Sequence, residues 1–579
     1  MRKDLSKRCL GLSLLLVFLT IGCRDSHYQK GMIYLREARL DQAEQELNTA
    51  IADNPQEGGA YVGLGQVYVE KGKKATAEKS YAEAKQYYDK ALEKLNKALE
   101  YKPKSINAYD QIITVYLTRG QLDLAIETCE KILAIKPAAS TYNLLGLAYS
   151  QKRDIAKTEE AFKNALKNAP NHMKSHMYLA DLYARKGQMD LAEQQYKTLL
   201  AAHPQNKDAH FKLAQLYILQ SQSEKAEAEY RTIQEIAPRD ANPLIALGRL
   251  YAADSKYPEA IASYESALKL TQQPTVQMQV YTNLIPVYNQ ESQFSQAIET
   301  CDKMARLLLG ANPDDPQQSR QVRSMREFLY LHQGRAYLGQ ADYLNAVGAL
   351  EKLIELNPRS ALYQYRLGLA YTGSGNYRQA LRAYTRALAL NPALTNAHLK
   401  LANTYIAMGK PEIAIQECKQ VLTESVTDTR QKADAHYLSG VAYIALEDYG
   451  KSLNQLQEAL KLQPDSVETY MTLGSLYSRQ EQFEDAIRHY QKAIEHAPEL
   501  ARVYEGLADV YERMGNTNKA VEAYNKAITL NPNSARAHNS LAWHYAQQGT
   551  NLDQALDLAN KAVGLEPESA TFRDTLGFV

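Results

Sequence analysis

Small and apolar residues recur along most of this chain with the period of an α-helix. One segment illustrates the pattern: Tyr470, Leu473, Gly474 and Tyr477 lie at i, i+3, i+4 and i+7. Residues at this spacing share one face of a helix. The pattern therefore predicts amphipathic helices that each bury one face.

A longer period of 34 residues is superimposed on the short one. Fifteen tyrosines mark it, and nine of the fourteen intervals between them are 34 residues, the others being 48, 33, 37, 49 and 38. We number each unit so that this tyrosine is position 11. Position 8 is then Gly or Ala in thirteen units, position 20 is Ala in thirteen, and position 32 is Pro in twelve. The marking residues are Tyr34, Tyr68, Tyr116, Tyr149, Tyr183, Tyr217, Tyr251, Tyr288, Tyr337, Tyr371, Tyr405, Tyr443, Tyr477, Tyr511 and Tyr545.

Each of these positions has a physical reason. Small residues at positions 8 and 20 let two helices of a hairpin approach closely, where a larger side chain would overpack. Tyrosine at position 11 supplies an apolar ring and keeps its hydroxyl near a hydrogen-bonding partner. Proline at position 32 ends the second helix. Because one hairpin cannot bury its own apolar face, neighbouring units must stack to complete the core.

A 34-residue unit with these positions is the signature of the tetratricopeptide repeat (TPR). The sequence resembles a TPR protein over about residues 24–569. The resemblance implies an all-α fold, an α-solenoid in which about fifteen helix-turn-helix repeats form a right-handed superhelix without strands. It also implies an inner groove lined by the first helices, where positions 2, 5, 9, 12 and 13 contact a protein or peptide.

Two long intervals predict structural joints. They exceed the period by 14 and 15 residues, close to four helical turns. In repeat 2 the additional residues favour helix, so the sequence predicts a second helix over about residues 75–100. Before repeat 9, residues 310–316 predict a loop from which Asp315 caps a helix with Pro316 at its first position.

Repeat 8 departs most from the pattern, since Ile285 replaces the small residue, Pro286 is expected to kink the first helix, and the terminal proline is missing. We therefore expect a bend near residues 280–320, with a flexible linker as the alternative. This divides the chain into TPR block one (23–311), a linker and helix extension (312–326), and block two (327–579). Ala570 opens a truncated sixteenth unit, which leaves a fragment or a missing downstream domain as an open alternative.

The first residues predict an export signal. Basic residues at the start precede an apolar run over 10–21, which is too short to cross a bilayer comfortably. Residues 1–22 therefore predict a signal peptide. The sequence ending at Cys23 resembles the lipobox of bacterial lipoproteins, although Thr20 stands where an aliphatic residue is usual. That resemblance implies lipidation of Cys23, and Arg24 after it favours the outer membrane, facing the periplasm; an ordinary signal peptide and an uncleaved anchor are the alternatives.

Charge and composition exclude several classes. The net charge is +1, and removal of residues 1–22 leaves −2, so no overall electrostatic footprint favours nucleic acid or a polybasic membrane patch. Cys129, Cys301 and Cys418 occupy position 24, where other units carry Tyr, Phe or Leu, which predicts buried small side chains. No metal, cofactor or catalytic arrangement is predicted. Six histidines occupy position 4, where we expect packing: His27, His176, His210, His398, His436 and His538.

Repeats 9 to 12 place apolar residues at the groove positions, which predicts a partner-binding strip. Lys at position 5 and Asn at position 9, which hold chaperone C-termini in related clamps, do not occur together in any unit. Repeat 14 carries charged residues in the groove instead. The predicted strip consists of Leu331, Leu338, Tyr365, Leu369, Leu399, Ile406, Tyr437, Val441 and Ile444.

These observations favour a non-enzymatic, lipid-anchored scaffold that binds proteins during assembly of an envelope, secretion or exopolysaccharide-export complex. The complex is suggested by resemblance to other TPR lipoproteins. Two alternatives are the interaction region of a larger enzyme, such as a glycosyltransferase, and a soluble periplasmic adaptor.

Overall fold

The chain folds into helices that pair as hairpins. The computed structural model describes residues 27–308, 316–423 and 426–579. Within these ranges there are 31 α-helices and no strands, which confirms the all-α prediction. Two compact units divide between Thr271 and Gln272. The predicted signal segment 1–22 and Cys23 lie outside the described residues.

The first unit contains helices that we number α1 to α14. They are α1 His27–Arg36, α2 Leu40–Asp53, α3 Gly58–Ala77, α4 Tyr81–Tyr101, α5 Ile106–Thr118, α6 Leu122–Ile135, α7 Ala139–Gln151, α8 Ile155–Asn168, α9 Met173–Arg185, α10 Met189–Ala202, α11 Lys207–Leu219, α12 Ser223–Ile236, α13 Asn242–Ala253 and α14 Tyr257–Leu270.

The second unit contains α15 to α31. They are α15 Pro274–Gln290, α16 Phe294–Leu308, α17 Pro316–Gly339, α18 Tyr343–Leu356, α19 Ala361–Gly373, α20 Tyr377–Leu390, α21 Thr395–Ala407, α22 Pro411–Val421, α23 Thr429–Ala445, α24 Tyr449–Leu462, α25 Val467–Arg479, α26 Phe483–His496, α27 Ala501–Arg513, α28 Thr517–Leu530, α29 Ala535–Gln548, α30 Leu552–Leu565 and α31 Ala570–Phe578.

Close packing within each hairpin follows from the small residue at position 8. A β-carbon built on Gly146 would lie 2.4 Å from Cε1 of Phe162 at position 24, and one on Gly474 would lie 2.7 Å from the ring of Tyr490. Because contacts this short do not occur between real atoms, only glycine fits at this helix separation. The predicted role of position 8 is confirmed.

The turn inside every hairpin has one conformation. Position 15 has a positive φ in all fifteen repeats, with values such as 74° at Gly375 and 58° at Ser221, and six of the fifteen residues are glycine. In the hairpin of α19 and α20, the N–H of Asn376 donates to the carbonyl of Tyr371 at 2.8 Å, which closes the helix end. The carbonyl of position 11 is thus used by the turn that follows it.

Neighbouring repeats are joined by a hydrogen bond from position 4 to the backbone of the preceding proline. Both histidine and tyrosine make this bond, since an imidazole Nε2–H and a phenol O–H reach the same carbonyl oxygen. The distances lie between 2.8 and 3.1 Å for His176 to Pro170, His210 to Pro204, Tyr470 to Pro464, Tyr504 to Pro498 and His538 to Pro532.

The prediction for repeat 2 is wrong in its placement of the additional turns. The structure gives α3 20 residues and α4 21, against 13 and 14 in the regular hairpin of α19 and α20. Each helix has therefore gained seven residues, and the turn falls at Lys79, which has a φ of 61°. A symmetric extension lets the new turns pack on each other, as shown by Gly72 against the ring of Tyr88.

The second long interval lengthens one helix. Helix α17 begins at Pro316, as predicted, and runs for 24 residues into the first helix of repeat 9. The loop predicted just before it lies outside the described residues, and Pro286 lies inside α15. The boundary between 311 and 312 thus stays a prediction.

The three predicted core cysteines are buried and free of disulfide bonds. Burial raises the pKa of Cys129 and Cys301 to about 12 and that of Cys418 to about 11. Among the described helices, none has the length and apolar character needed to cross a membrane. The described ranges also contain no cluster of three or more metal-ligating side chains.

Candidate functional site

A groove in the first unit is lined by the first helices of repeats 3 to 6, namely α5, α7, α9 and α11. It contains two adjoining cavities of about 580 and 520 Å³, which share Leu147 and Tyr178. Most of the lining side chains that the first helices contribute occupy positions 2, 5, 6, 9, 12 and 13 of their repeats, and Tyr196 on the second helix α10 also lines the smaller cavity. We call this surface the unit-one groove.

The spacing along each helix explains why these side chains face the groove. On α7, Ser140, Asn143, Leu147 and Ser150 follow one another at intervals of three, four and three residues. Such intervals keep side chains on a single helical face, while the small residue at position 8 faces the second helix. The floor is apolar, and polar groups stand around it.

An acidic group lies at one end of the groove. The hydroxyl of Thr141 donates to Oδ1 of Asp110 at 2.8 Å. Burial raises the pKa of Asp110, while hydrogen bonds from Ser140 and Thr141 act in the opposite direction. The carboxyl of Asp110 is thus a partly desolvated acceptor that lines the larger cavity.

Three polar side chains in the middle of the groove satisfy one another. Nδ2 of Asn143 donates to Nδ1 of His172 at 2.9 Å, and the hydroxyl of Ser175 donates to Oδ1 of Asn143 at 3.0 Å. Burial, followed by the charge of Lys174 and by His176, lowers the pKa of His172. A neutral imidazole is the form that can accept the bond from Asn143. The network fixes the side chains that border the larger cavity.

The smaller cavity contains a third polar arrangement. The hydroxyl of Tyr196, a buried residue at position 24, donates to Oδ1 of Asp181 at 2.5 Å. Lys212 Nζ lies 3.4 Å from the same carboxylate. Burial raises the pKa of Tyr196, and the hydrogen bond to Asp181 adds to the effect. At the rim, Leu219 leaves 70% of its surface exposed.

Together these features form a binding surface for an extended chain. An apolar floor can receive aliphatic or aromatic side chains, and fixed amide and carboxyl groups can bond to a peptide backbone. Sequence reasoning missed this groove because it searched positions 2, 5, 9, 12 and 13 for apolar residues only. Asp110 and Asn143 occupy position 5, and Asp181 occupies position 9, so the same positions would have found them had polar residues been admitted.

The predicted strip in repeats 9 to 12 lies on the first helices α17, α19, α21 and α23. Eight of its nine side chains are half-buried. Leu399 is buried, with 7% of its surface exposed, and packs in a cluster with Ala402 and Cys418, so it offers little surface to a partner. Other members also pack internally: Leu331 and Leu338 beside Leu350, Tyr365 and Leu369 beside Tyr384, Tyr437 and Ile444 beside Leu456, and Ile406 beside Leu399.

The charged groove residues of repeat 14 form an internal network. The hydroxyl of Tyr524 donates to Asp509 at 2.8 Å and to Glu512 at 3.0 Å. Arg536 pairs with Asp509, and the hydroxyl of Ser534 donates to Glu505 at 2.6 Å. Burial raises the pKa of Asp509. These charged side chains therefore bond to side chains of repeats 14 and 15.

Comparison with known families agrees with the geometry. Tetratricopeptide repeat models match residues 28–88, 143–206, 180–241, 244–277, 331–393, 371–433, 465–533 and 505–570, and a TPR repeat model matches 440–481. Together these matches cover most of the chain. This chain belongs to the tetratricopeptide repeat family. TPR repeats are protein–protein interaction modules, so the TPR chain is a scaffold for protein binding.

Solved structures with similar folds include several repeat proteins. A chain of the APC/C hetero-tetramer Cut9-Hcn1 is 14% identical, with a TM-score of 0.35, over 83% of this chain and 97% of its own. A tetratricopeptide repeat protein from Parabacteroides merdae ATCC 43184 is 20% identical, with a TM-score of 0.37, over 44% of this chain and 98% of its own. MamA is 29% identical, with a TM-score of 0.25, over 29% of this chain and 97% of its own. No curated protein matches the TPR chain.

Proposed function

We propose that this TPR protein is a non-enzymatic scaffold that holds an extended segment of a partner protein in the unit-one groove. The observation that carries the proposal is the pair of adjoining cavities on α5, α7, α9 and α11. Asn143 and Asp181 are held by neighbouring side chains, so the surface is ordered before binding. A preorganised surface loses less entropy on binding.

Site-specific photo-crosslinking tests this proposal. A benzophenone amino acid replaces Gln215, an exposed groove residue on α11, or Gln194, an exposed residue on α10 that serves as the control. After irradiation of cells that express the full chain, we expect a crosslinked protein from position 215 and none from position 194. Equal products at both positions, or none at 215, would contradict the proposal.

A charge substitution at the rim gives an independent measurement. Leu219→Asp should weaken capture of the crosslinked partner at least tenfold, because it places a charge beside the apolar floor. Leu344→Asp changes an outer leucine that is 83% exposed and should leave capture unchanged. Both variants should keep the helical circular dichroism of the wild type.

The strip in repeats 9 to 12 is proposed as a second contact surface. Because most of its side chains pack internally and Leu399 is buried, it offers shallow contacts at Tyr365 and Leu369. A benzophenone at Asn403, an exposed residue of α21, should then crosslink to the same partner as position 215. A different partner, or none, would remove the strip from the proposal.

The location of the scaffold is proposed from the sequence around Cys23. We propose that Cys23 carries lipid and anchors the protein at the outer membrane facing the periplasm, where it serves assembly of an envelope, secretion or exopolysaccharide-export complex. Multiple acyl chains give stable attachment to a bilayer. Labelled palmitate should enter the wild type but not the Cys23→Ser variant. Equal labelling of both would mean that the lipid is attached elsewhere than at Cys23, and no label in either would support a soluble periplasmic adaptor; each result contradicts the anchor at Cys23.

A further inference from the structure

Positive charge is concentrated in repeats 10 and 11, although the chain as a whole is nearly neutral. Between Glu355 and Glu412 there is no aspartate or glutamate. The same stretch contains seven basic residues: Arg359, Arg366, Arg378, Arg382, Arg386, Lys400 and Lys410. A local field of this kind attracts anionic partners even when the total charge is near zero.

One of these residues lies on a first helix of the second unit without a counter-ion. Arg366 lies at position 6 of α19 and is half-buried. Its Nε is enclosed and has no hydrogen-bond partner, and no carboxylate of the described residues pairs with it. Leaving a guanidinium N–H enclosed without an acceptor is costly, and an anion bound to the rest of the guanidinium would offset part of that cost.

The neighbouring helix adds a second cation to the same place. Arg335 lies on α17, at position 9 of repeat 9. It donates to the amide oxygen of Gln290 at 3.2 Å and has no carboxylate partner in the described chain. His332 on α17 is a third member of this group, and its Nδ1 is also enclosed and unbonded. Burial lowers the pKa of His332 to about 4, and the charges of Arg335 and Arg366 add to that effect. The imidazole is thus neutral beside two cations.

The nearest acidic group of α17 is already engaged. Oε1 of Glu327 accepts a hydrogen bond from Nδ2 of Asn357 at 3.0 Å and another from the hydroxyl of Tyr363 at 2.8 Å. These bonds lower the pKa of Glu327. Its carboxylate therefore connects repeats 9 and 10 through these hydrogen bonds.

We propose that Arg335 and Arg366 bind a carboxylate side chain in an acidic segment of the partner protein. A guanidinium offers two parallel N–H groups that match a carboxylate, which makes this pair the natural anion receptor of the surface. Apolar side chains flank it, including Leu331, Tyr365 and Leu369. Two cations between apolar neighbours match one carboxylate side chain of a peptide that also carries apolar side chains. A nucleic acid strand, in contrast, requires a row of cations along its phosphates.

This inference rests on the proposed function, since its ligand is part of a protein, but it concerns a different surface from the unit-one groove. Its test therefore uses a synthetic probe. A fluorescein-labelled peptide of alternating leucine and glutamate is compared by anisotropy with the same peptide in which every glutamate is glutamine. The full chain should bind the glutamate peptide at least tenfold more tightly at low salt, and the difference should shrink as salt is raised.

Variants that each remove one positive charge test whether Arg335 and Arg366 are the residues that bind the carboxylate. Arg335→Gln and Arg366→Gln should each remove most of the preference for glutamate. Arg382→Gln removes one positive charge from the same acid-free stretch but lies exposed on α20, the outer helix, and should retain the preference. Since Arg335 is exposed, its variant should fold even if substitution of Arg366 disturbs packing.

The outcomes decide between the site and a general field effect. Equal affinity for the two peptides, or the same loss in Arg382→Gln as in Arg366→Gln, would overturn the proposal. Displacement of the glutamate peptide by a single-stranded oligonucleotide at lower concentration than by unlabelled peptide would also overturn it. A captured partner at position 215 without glutamate preference here would leave the scaffold function intact and reject only this receptor.

Discussion

A β-carbon placed on Gly368 would lie 2.4 Å from Cε1 of Tyr384, so these two residues set the distance between α19 and α20. Tyr384 is fully buried, and its hydroxyl lies 3.0 Å from Oγ1 of Thr372. The ring is therefore fixed at both ends and has little room to move. Positions 8 and 24 act as a matched pair, and the hairpin is built around their combined volume.

Gly368→Ala should lower the free energy of unfolding of the second unit by about 1–3 kcal/mol, because the methyl group must displace a buried ring. Gly348→Ala in α18 is the control, since its β-carbon would meet no atom within 4 Å. That substitution should raise stability by roughly 0.5–1 kcal/mol through helix propensity alone. Urea unfolding followed by circular dichroism measures both, and equal effects of the two variants would contradict the matched-pair interpretation.

The turn at position 15 leads to a second pair of substitutions. Gly375 has a φ of 74° with no neighbouring atom that a β-carbon would touch. Gly375→Ala should therefore cost about 1 kcal/mol through backbone strain alone. Ser221 has a φ of 58°, so Ser221→Gly should raise the free energy of unfolding by up to about 1 kcal/mol. The unfolding midpoints should shift in opposite directions, and shifts of the same sign would show that the turns differ in the two units.

The hydrogen bond between repeats leads to a test at position 4. Nε2 of His176 donates to the carbonyl of Pro170 at 2.8 Å, and the imidazole is buried. His176→Phe keeps an aromatic ring but leaves the carbonyl without its donor, and should cost about 1–3 kcal/mol. His176→Tyr should recover part of that loss, because Tyr504 makes the same bond to Pro498 at 3.0 Å. If tyrosine and phenylalanine were equivalent in urea unfolding, the bond would contribute nothing.

The sequence predicted the hairpins because close packing of the two helices requires particular residue types at fixed positions. Gly146 faces Phe162, and Gly474 faces Tyr490, so small-against-large pairing recurs with the period. The turn conformation left no such signature, since Lys79, Arg153 and Glu447 adopt the same positive φ as the glycines. There the hydrogen bonds of the turn outweigh the preference of the individual residue.

Two other features depended on information that a single helix does not contain. The extra residues of repeat 2 favour helix wherever they are placed, and only the packing of α3 against α4, as between Gly72 and Tyr88, shows that they divide equally. The unit-one groove depends on contacts such as Thr141 to Asp110 between successive first helices. Residue type alone predicted apolar contacts, whereas this surface mixes polar and apolar groups.

The lowered pKa of His332 predicts a dependence of stability on pH. Its pKa is about 4 in the folded chain, because of burial and of the nearby Arg335 and Arg366, against an ordinary value of 6.5. Between these values the unfolded chain binds a proton that the folded chain does not, so stability is present above about pH 6.5 and is lost as the pH falls towards 4. The loss should reach about 1–3 kcal/mol.

Comparison of the wild type with His332→Phe isolates this effect. Phenylalanine keeps the aromatic contact with Phe328, whose ring centroid lies 4.4 Å from that of His332, but does not titrate. Urea unfolding of the second unit at pH 7.5, 6.5, 5.5 and 4.5 should show a wild type that loses stability more steeply than the variant, since the carboxylates that titrate in this range are common to both. Parallel curves would mean that His332 accepts its proton in the folded chain as readily as in the unfolded one.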